Sequence, residues 1–256
     1  LIEKNRDQPF FLYFPYYAVH TPLQAKRELI ARFNKVPKNE RQGSPVYAAM
    51  VASVDESVGR VMEKLEELKL AGNTLVIFTS DNGGFAGATR HDPLRANKGS
   101  HYEGGIRVPL IVRWPGKVKA GTTCSVPVIS MDFYPTFLEV AGLELGNKPM
   151  DGESIMPLLR QSGKLSRKAI FFHYPNYAWH MDNRLAGAVR SGNWKLIRNY
   201  DDDSLELYDM SKDLSEKNNL ADKRPKIVAR LNRGLSAWLK DTNAPMPRPP
   251  KPLKKK

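Results

Sequence analysis

Cysteine is almost missing from this sequence of 256 residues, which contains a single one, Cys124. One cysteine excludes an internal disulfide and any zinc site built mainly from cysteines. Its sequence neighbours are threonines and a serine, with no histidine or carboxylate close by. We therefore interpret Cys124 as a small packing residue rather than a reactive thiol, which needs a partner that lowers its pKa.

Long apolar runs are missing as well. No stretch approaches the ~20 apolar residues that a helix needs to cross a bilayer, so we expect no membrane span. The first residues, Leu1 to Lys4, do not have the pattern of a secretory signal. The chain also lacks an initiating methionine, and we expect it to be a fragment of a longer protein. A missing signal therefore says nothing about export.

Acidic residues are few compared with basic ones, 27 against 40, which gives a formal net charge of +13. Part of the excess lies in the tail, at Lys251 and the last three lysines. A basic balance can attract nucleic acid, anionic membranes or acidic substrates. The sequence has no nucleic-acid motif with interleaved aromatic residues, so we predict no nucleic-acid partner. Most of the lysines are interpreted as a solvated surface, and an anionic substrate fits the sign of the charge.

The first part of the chain alternates predicted strands and helices. Phe10 to Phe14 and Leu75 to Thr79 are expected to be buried strands, and Val108 to Arg113 a third strand. Apolar residues recur at steps of three and four from Pro45 to about Leu70, which predicts a long amphipathic helix ended by Gly72. This alternation is typical of an α/β fold with part of a doubly wound mixed sheet flanked by helices.

Beyond about residue 162 the pattern changes to short strands. Four strand-like runs at residues 169–173, 186–190, 194–198 and 205–208 predict a small antiparallel sheet. Ser191 to Asn193 is expected to be a hairpin turn, and Ile227 to Leu239 a closing helix. We predict a catalytic α/β domain at residues 1–162, a smaller C-terminal domain of antiparallel strands plus a helix at residues 163–244, and a disordered basic tail at residues 245–256.

Chemistry-bearing residues concentrate where the strand at Leu75 to Thr79 ends. Asp81 and Asn82 follow it directly, at the edge of an α/β sheet where ligands bind. Their oxygens suit a hard cation such as Ca²⁺ or Mg²⁺, and Lys98 could face an anion held on that metal. A plain Asn-Gly turn is the alternative. It requires an alternating second strand, which the glycine-rich residues 83–88 do not supply, and we favour a functional loop.

His20 follows the first predicted strand in the same way. Taken alone, a histidine at such a position is more often a structural hydrogen-bonding residue than a catalyst. His173 and His180 lie in the smaller predicted domain, where they could border a pocket or stand in an exposed loop. The residue pattern alone does not decide the roles of these three histidines.

Several motifs together resemble the later half of a formylglycine-dependent, arylsulfatase-like sulfatase of the alkaline-phosphatase superfamily. The resemblance rests on the order and spacing of these segments: Tyr16-x-Ala18-x-His20-x-Pro22, Ser80 to Gly84, Pro93 to Arg95, Lys98-Gly99, Glu103 to Pro109, Arg190 to Leu196, Glu206 to Asp209 and Glu216 to Leu220. It covers nearly the whole chain.

The resemblance implies roles for particular residues. Asp81 and Asn82 would bind Ca²⁺, with Mg²⁺ as the alternative. His20 and Lys98 would contact the sulfate, and His20 would protonate the leaving oxygen, a task for which the imidazole side chain is suited. His91 and Arg95 lie in a loop that could face the substrate. Two further residues are interpreted as structural: Arg107, pairing with Glu103 to hold the Gly104-Gly105 turn, and Asp132.

The nucleophile motif of such an enzyme and part of its metal site are missing from the sequence. A formylglycine arises from Cys or Ser in a Cys/Ser-x-Pro/Ala-x-Arg motif, and neither this motif nor an early pair of metal-binding aspartates is present. Cys124 does not fit, because Ser125-Val126-Pro127 follow it. Ca²⁺ takes six to eight oxygens, so Asp81 and Asn82 cannot hold it alone. We expect residues upstream of Leu1 to supply the rest and this stretch alone to be inactive.

The resemblance predicts hydrolysis of an aryl or carbohydrate sulfate ester, with a sulfated small molecule or glycan as partner. It also predicts export to a periplasmic, extracellular or lysosomal compartment. A phosphodiesterase or phosphonate hydrolase of the same superfamily is one alternative, because sulfate and phosphate esters share tetrahedral geometry. A non-catalytic binder of sulfated polysaccharide is another. The oligomeric state is not predicted.

Overall fold

The computed structural model describes residues 1–144, 146, 149–178, 180 and 182–248. The chain divides into two compact units. Unit 1 consists of Leu1–Asp81, Gly87–Arg90 and Pro109–Leu165, and unit 2 of Asn82–Ala86, His91–Val108 and Ser166–Lys256. The predicted domain boundaries at residues 162 and 244 stay predictions.

Helices and strands occur in both units. The α-helices are α1 (Arg27–Asn34), α2 (Pro45–Glu67), α3 (Glu103–Ile106), α4 (Phe133–Val140), α5 (Met156–Leu159) and α6 (Pro225–Asp241). The strands are β1 (Val76–Thr79), β2 (Leu110–Arg113), β3 (Ile170–Tyr174), β4 (Ala186–Ser191), β5 (Trp194–Asn199) and β6 (Leu205–Asp209). Short 3₁₀ turns span Glu3–Asn5, Lys38–Glu40, Ala71–Asn73 and Ser130–Asp132. None of the described helices is long and apolar enough to cross a membrane.

The predicted α/β class, with a smaller antiparallel sheet and a helix towards the C-terminus, is confirmed. In unit 1, β1 pairs with β2 in antiparallel fashion, with Val76 opposite Arg113 and Thr79 opposite Leu110. In unit 2, the other strands form an antiparallel sheet in the order β3-β4-β5-β6. Each strand therefore neighbours the next in sequence, as short hairpin connections require.

The long helix α2 begins as the sequence predicts and ends differently. The Ser44 hydroxyl accepts a hydrogen bond from the Tyr47 N–H at 3.1 Å, and Pro45 occupies the first turn. Gly72 does not end the helix, because the chain already turns at Lys69, whose φ is +58°. Gly72 lies instead inside the 3₁₀ turn that follows.

The predicted strand at Phe10 to Phe14 is wrong. No described residue pairs with this segment as a strand. The residues do alternate, since Phe10 and Leu12 pack against the buried cluster of unit 1, while Phe11 and Tyr13 are 69% and 76% exposed. Alternation reflects burial of one face only, whereas a strand also needs a neighbouring backbone to hydrogen-bond.

The sequence assigns structural roles to Cys124 and Asp132; the structure contradicts the first assignment and agrees with the second. Cys124 is exposed, so its interpretation as a packing residue is wrong. Asp132 is fully buried and structural as expected, because its carboxylate accepts hydrogen bonds from the N–H groups of Ile129 at 2.8 Å and Glu153 at 3.0 Å. It thereby holds the start of α4, which is followed by Gly142 with φ +69°.

The core of unit 2 lies on both faces of its sheet. One face packs on α6 through six buried aliphatic residues, Val189, Leu196, Leu207, Leu231, Leu235 and Leu239. The other face presents Ala186, Ala188, Ile197, Tyr208 and Met210, against which Tyr102 packs. Successive residues of a strand point to opposite faces, so these sets alternate along β4 to β6. Tyr102 belongs to the motif-rich segment 91–108, which is thus anchored on the second face.

Candidate functional site

The glycine-rich motif of unit 2 is a close approach of two backbone segments. The Gly83 N–H donates to the Gly105 carbonyl at 2.9 Å. A Cβ atom on Gly83 would lie 1.8 Å from the Gly104 oxygen, and one on Gly104 would lie 2.2 Å from the Ala96 oxygen. Only glycine fits where backbones approach this closely, which explains the residue type at these positions.

The backbone of Lys98 is hydrogen-bonded to these closely approaching glycine segments, which we call the glycine frame. Its backbone N–H donates to the Gly84 carbonyl at 3.0 Å, so the loop that begins with Asn82 and the loop that contains Lys98 are hydrogen-bonded to each other. Gly99 follows with φ +95°, and its carbonyl accepts from the Asn183 amide at 2.9 Å. The Lys98 side chain is partly buried. Its backbone is therefore fixed on two sides.

His180 lies directly beside Lys98. A Cβ atom on Gly99 would come within 2.7 Å of the His180 side chain, and the Phe85 ring stands edge-on to the imidazole with centroids 6.4 Å apart. Partial burial and the nearby Lys98 charge both lower the pKa of His180. His180 is thus a partly buried neighbour of the Lys98 loop, and a role at the border of a substrate pocket stays a prediction.

His173 has a different environment. Its Nε2 lies 2.7 Å from the Pro245 carbonyl oxygen, and its Nδ1 lies 2.8 Å from the Tyr200 hydroxyl. Nε2 therefore holds the segment that follows α6, and Nδ1 binds the tyrosine that follows β5, so the role of His173 is structural.

Arg95 is engaged by the fold of unit 2. Its Nη1 donates to the Tyr208 hydroxyl at 2.8 Å and to the Glu216 carbonyl at 2.9 Å. The guanidinium stands 3.8 Å from the centre of the Tyr102 ring, a cation–π distance. These contacts anchor the Pro-Leu-Arg motif, and the substrate-binding role of Arg95 stays a prediction.

A partly buried carboxylate, that of Glu206, binds the two tyrosines of this anchor. The Tyr102 hydroxyl donates to the Glu206 oxygens at 2.9 and 3.0 Å, and the Tyr208 hydroxyl donates at 2.5 Å. Burial, assisted by the Glu206 charge, raises the pKa of Tyr102, so this phenol stays a hydrogen-bond donor. The anchor is thus fully hydrogen-bonded on its inner side.

A second anchor is the ion triad of Glu103, Lys195 and Glu216. The Lys195 Nζ lies 2.9 Å from Glu103 Oε1 and 2.8 Å from Glu216 Oε1, and the Lys195 side chain is 1% exposed. Burial acts to raise the pKa of Glu103, but the charge and hydrogen bond of Lys195 outweigh it and hold that pKa below its usual value. Arg107 Nη1 lies 3.3 Å from Glu103 Oε2, so the predicted Arg107–Glu103 pair is confirmed.

Sequence reasoning missed Lys195, Glu206 and Glu216, although one signal for Lys195 was available. Lys195 and Ile197 share a face of β5, and Ile197 is 2% exposed. Leu196, on the opposite face, is 0% exposed, so both faces of β5 are buried and Lys195 is enclosed with Ile197, where a lysine requires acidic partners. Those partners are remote in sequence and could not be identified from it.

His91 is also in unit 2. Its Nε2 is buried and has no hydrogen-bond partner among the described residues. Burial lowers its pKa, and the neighbouring Asp92 charge opposes this effect. A role toward substrate stays a prediction.

His20 and Asp81 belong to unit 1, and both are exposed. The His20 Nδ1 lies 2.9 Å from the Thr21 carbonyl oxygen. Because a carbonyl only accepts, Nδ1 is the donor, and Nε2 is the ring nitrogen suited to proton transfer. Asp81 follows the end of β1, and its sequence neighbour Asn82 opens unit 2. The convergence of His20, Asp81-Asn82 and Lys98 on one cavity stays a prediction.

Asp81 and Asn82 provide the right type of metal ligand but too few ligands for a complete site. Asp81 and Asn82 offer the oxygen ligands that Ca²⁺ prefers. Within the described ranges, no group of three or more His, Cys, Asp or Glu residues could hold a metal ion. These residues alone are not a complete calcium site.

Comparison with known families decides the classification. The sequence profile described as Sulfatase matches residues 1–143, more than half of the chain. A second profile, described as N-sulphoglucosamine sulphohydrolase, C-terminal, matches residues 96–242. The chain belongs to the sulfatase family.

Curated sulfatases resemble this chain over part of their length. A sulfatase of Formosa agariphila is 38% identical over 93% of this chain and 48% of its own length. The N-acetylglucosamine-6-O-sulfatase of Bacteroides thetaiotaomicron is 41% identical over 68% of this chain and 31% of its own. Human arylsulfatase A is 35% identical, over 75% of this chain and 36% of its own. The chain thus spans about a third to a half of these relatives.

Solved structures support the same fold. Ps i-CgsB in complex with k-i-k-neocarrahexaose superposes with a TM-score of 0.79, at 34% identity, over 93% of this chain and 52% of that one. A complex of another protein with its substrate, D-glucosamine-2-N,6-O-disulfate, gives a TM-score of 0.67 at 35% identity, over 78% of this chain and 41% of that one.

Proposed function

We propose that this sulfatase chain is the later part of an enzyme that hydrolyses a sulfate ester. A formylglycine nucleophile and the remaining metal ligands would come from residues preceding Leu1. The observation that carries the proposal is the rigid glycine frame of unit 2, which fixes the backbone of Lys98 and places His180 beside it. A fixed cation is suited to binding a sulfate oxyanion, since pre-aimed charge is usually the largest catalytic contribution.

The residues of this chain would share the work at the sulfate. The Lys98 ammonium binds the anionic oxygens. His20, protonated on both ring nitrogens, gives its Nε2 proton to the leaving oxygen and keeps the Nδ1 proton, which donates to the Thr21 carbonyl and orients the ring. Asp81 and Asn82 would hold part of the coordination of Ca²⁺, with Mg²⁺ as the alternative. When bound, that cation would neutralise charge on the sulfate oxygens.

We propose a carbohydrate sulfate as substrate, with aryl sulfate as the alternative. The support is that two structural relatives are described in complex with neocarrahexaose and with a disulfated glucosamine. Export of the complete protein is part of the same proposal, since sulfated glycans are extracellular polymers.

The test compares the 256-residue chain with the complete protein that includes the preceding segments. Sulfate release from a sulfated monosaccharide and from an aryl sulfate is measured for both. The complete protein is expected to turn over and the chain alone to release nothing. In the complete protein, Lys98→Ala should lower kcat/KM by roughly 10²–10³-fold. Lys117→Ala, which removes an exposed lysine of unit 1, is the matched control and should leave the rate unchanged.

Three outcomes would contradict the proposal. One is turnover by the 256-residue chain alone. A second is faster hydrolysis of phosphate diesters or phosphonates than of sulfate esters, which would favour the related phosphoryl hydrolases. The third is an inactive complete protein that still binds sulfated polysaccharide.

A further inference from the structure

The exposed face of α6 carries a continuous row of cations, which we call the basic stripe: Lys226, Arg230, Arg233 and Lys240. All four are exposed, and they follow one another at steps of four, three and seven residues. At 3.6 residues per turn these positions lie on one face. Leu231, Leu235 and Leu239 face the opposite way, into the core of unit 2. The basic stripe therefore points away from the core of unit 2.

The basic stripe is not neutralised by the protein. No acidic residue stands between Pro225 and Lys240. None of the four cations forms an ion pair within the part of the chain that the structure describes. Acidic side chains of unit 2 are used elsewhere, for example Asp201 and Asp202 by Arg184. Like charges three and four residues apart destabilise a helix, and the acidic residue of α6, Asp241, stands beside only the last of the four cations.

We propose that the basic stripe is a docking surface for a linear sulfated polysaccharide. It extends over about 21 Å from Lys226 to Lys240 at 1.5 Å per residue, enough to follow several sulfated sugars. Sulfate groups remain ionised at any physiological pH, so a row of cations matches a row of sulfates. The choice of this polyanion rests on the proposed function, which assigns a carbohydrate sulfate as substrate.

Other anionic partners fit less well. A membrane-bound helix presents large apolar residues beside its cations, whereas Ala229, Ser236 and Ala237 are the exposed neighbours here. Single-stranded nucleic acid requires aromatic rings for base stacking. Trp238 does not supply one, because its ring is stacked on Phe171 with centroids 5.1 Å apart. Double-stranded DNA is tested directly as a comparison probe in the binding experiment below.

The test measures binding of heparin to the full 256-residue chain by calorimetry at several salt concentrations. Arg230→Gln with Arg233→Gln should weaken binding by roughly 10- to 30-fold. The slope of log K against log salt should fall by about two, since two counterion-releasing contacts are lost. Two matched controls remove the same charge elsewhere, Lys117→Gln with Lys119→Gln in unit 1 and Lys254→Gln with Lys255→Gln in the tail. Both controls should bind within about twofold of the unchanged chain.

Fully desulfated heparin, a DNA duplex and vesicles of phosphatidylserine with phosphatidylcholine serve as comparison probes. Weak binding of all three supports the inference. Unchanged heparin affinity in the stripe variant, or an equal loss in a control variant, would overturn it. Equal or tighter binding of DNA, vesicles or desulfated heparin through the same residues would overturn the choice of partner. Binding is independent of turnover, so an inactive complete protein with intact stripe-dependent heparin binding would refute only the proposed function.

Discussion

At the scale of single residues, the motif residues of this chain have two different physical roles. His180 lies against Gly99 beside the Lys98 loop, whereas Arg95, Tyr102 and Glu103 are held by the sheet of unit 2. The anchoring residues keep the loop in place, and the loop positions Lys98. A motif residue can thus be essential without touching a substrate.

Removal of the buried lysine tests the second anchor. Lys195→Met is expected to lower the free energy of unfolding of unit 2 by about 3–5 kcal/mol, because it leaves the carboxylates of Glu103 and Glu216 buried without their shared cation. Urea unfolding followed by intrinsic tryptophan fluorescence, to which Trp194 and Trp238 of unit 2 contribute, measures this. Lys212→Met removes an exposed lysine of the same unit and should change the value by less than about 0.5 kcal/mol. Equal unfolding midpoints for both variants would contradict the prediction.

His101 makes stability depend on pH. It is 8% exposed, and burial, together with the charges of Lys195 and His173, lowers its pKa from 6.5 to about 4. Between these values the unfolded chain binds a proton that the folded chain does not. Stability contributed by the neutral ring is therefore present above pH 6.5 and is lost as the pH falls towards 4, by up to about 3 kcal/mol.

The measurement compares urea midpoints of the wild-type chain and His101→Gln at pH 7 and pH 4.5. The variant should lose less stability over this interval, because it has no imidazole to protonate. Carboxylate contributions are common to both proteins and cancel in the difference. Parallel losses would show that His101 does not act in this way.

At the scale of elements, substitutions at two glycines of unit 2 test two different effects, backbone strain in a turn and helix propensity. Gly192 begins the two-residue turn between β4 and β5 with φ +56°, and Gly234 lies inside α6. A Cβ atom at either position would meet nothing within 4 Å, so neither substitution creates a clash.

The two alanine substitutions should therefore have opposite signs. Gly192→Ala is expected to destabilise unit 2 by about 1–2 kcal/mol, because an L-residue is strained at positive φ. Gly234→Ala should stabilise it by about 0.5–1 kcal/mol, because glycine loses more backbone entropy in a helix. Thermal unfolding of the two variants in the same buffer measures both, and changes of equal sign would contradict the assignment of the turn.

At the scale of the whole molecule, the proposed calcium site is expected to distinguish this chain from the complete protein. Two oxygen-donor residues are far from the six to eight oxygens of a calcium site. Addition of 1 mM Ca²⁺ to the 256-residue chain should therefore shift its Tm by less than about 1 °C. The complete protein should be stabilised by Ca²⁺ and destabilised by EDTA. Saturable stabilisation of the chain alone, abolished by Asp81→Asn, would show that it holds a calcium site of its own.

Short-range patterns in the sequence determined much of this protein. The apolar periodicity of α2 and α6, the Ser44 cap, the hairpin turn at Gly192 and the Arg107–Glu103 pair each depend on residues a few positions apart. Local sequence is sufficient there because the interacting groups are near neighbours. The order of the motifs was likewise sufficient to indicate the family.

Only the tertiary structure decided which residues meet across long distances in the sequence. Phe10 to Phe14 has the residues of a strand but no partner strand among the described residues. Lys195 is buried because Glu103 and Glu216 converge on it, and His180 lies beside Lys98 because two loops pack against each other. Such pairings depend on how the backbone closes over 80 to 120 positions, and the composition of either segment alone does not specify them.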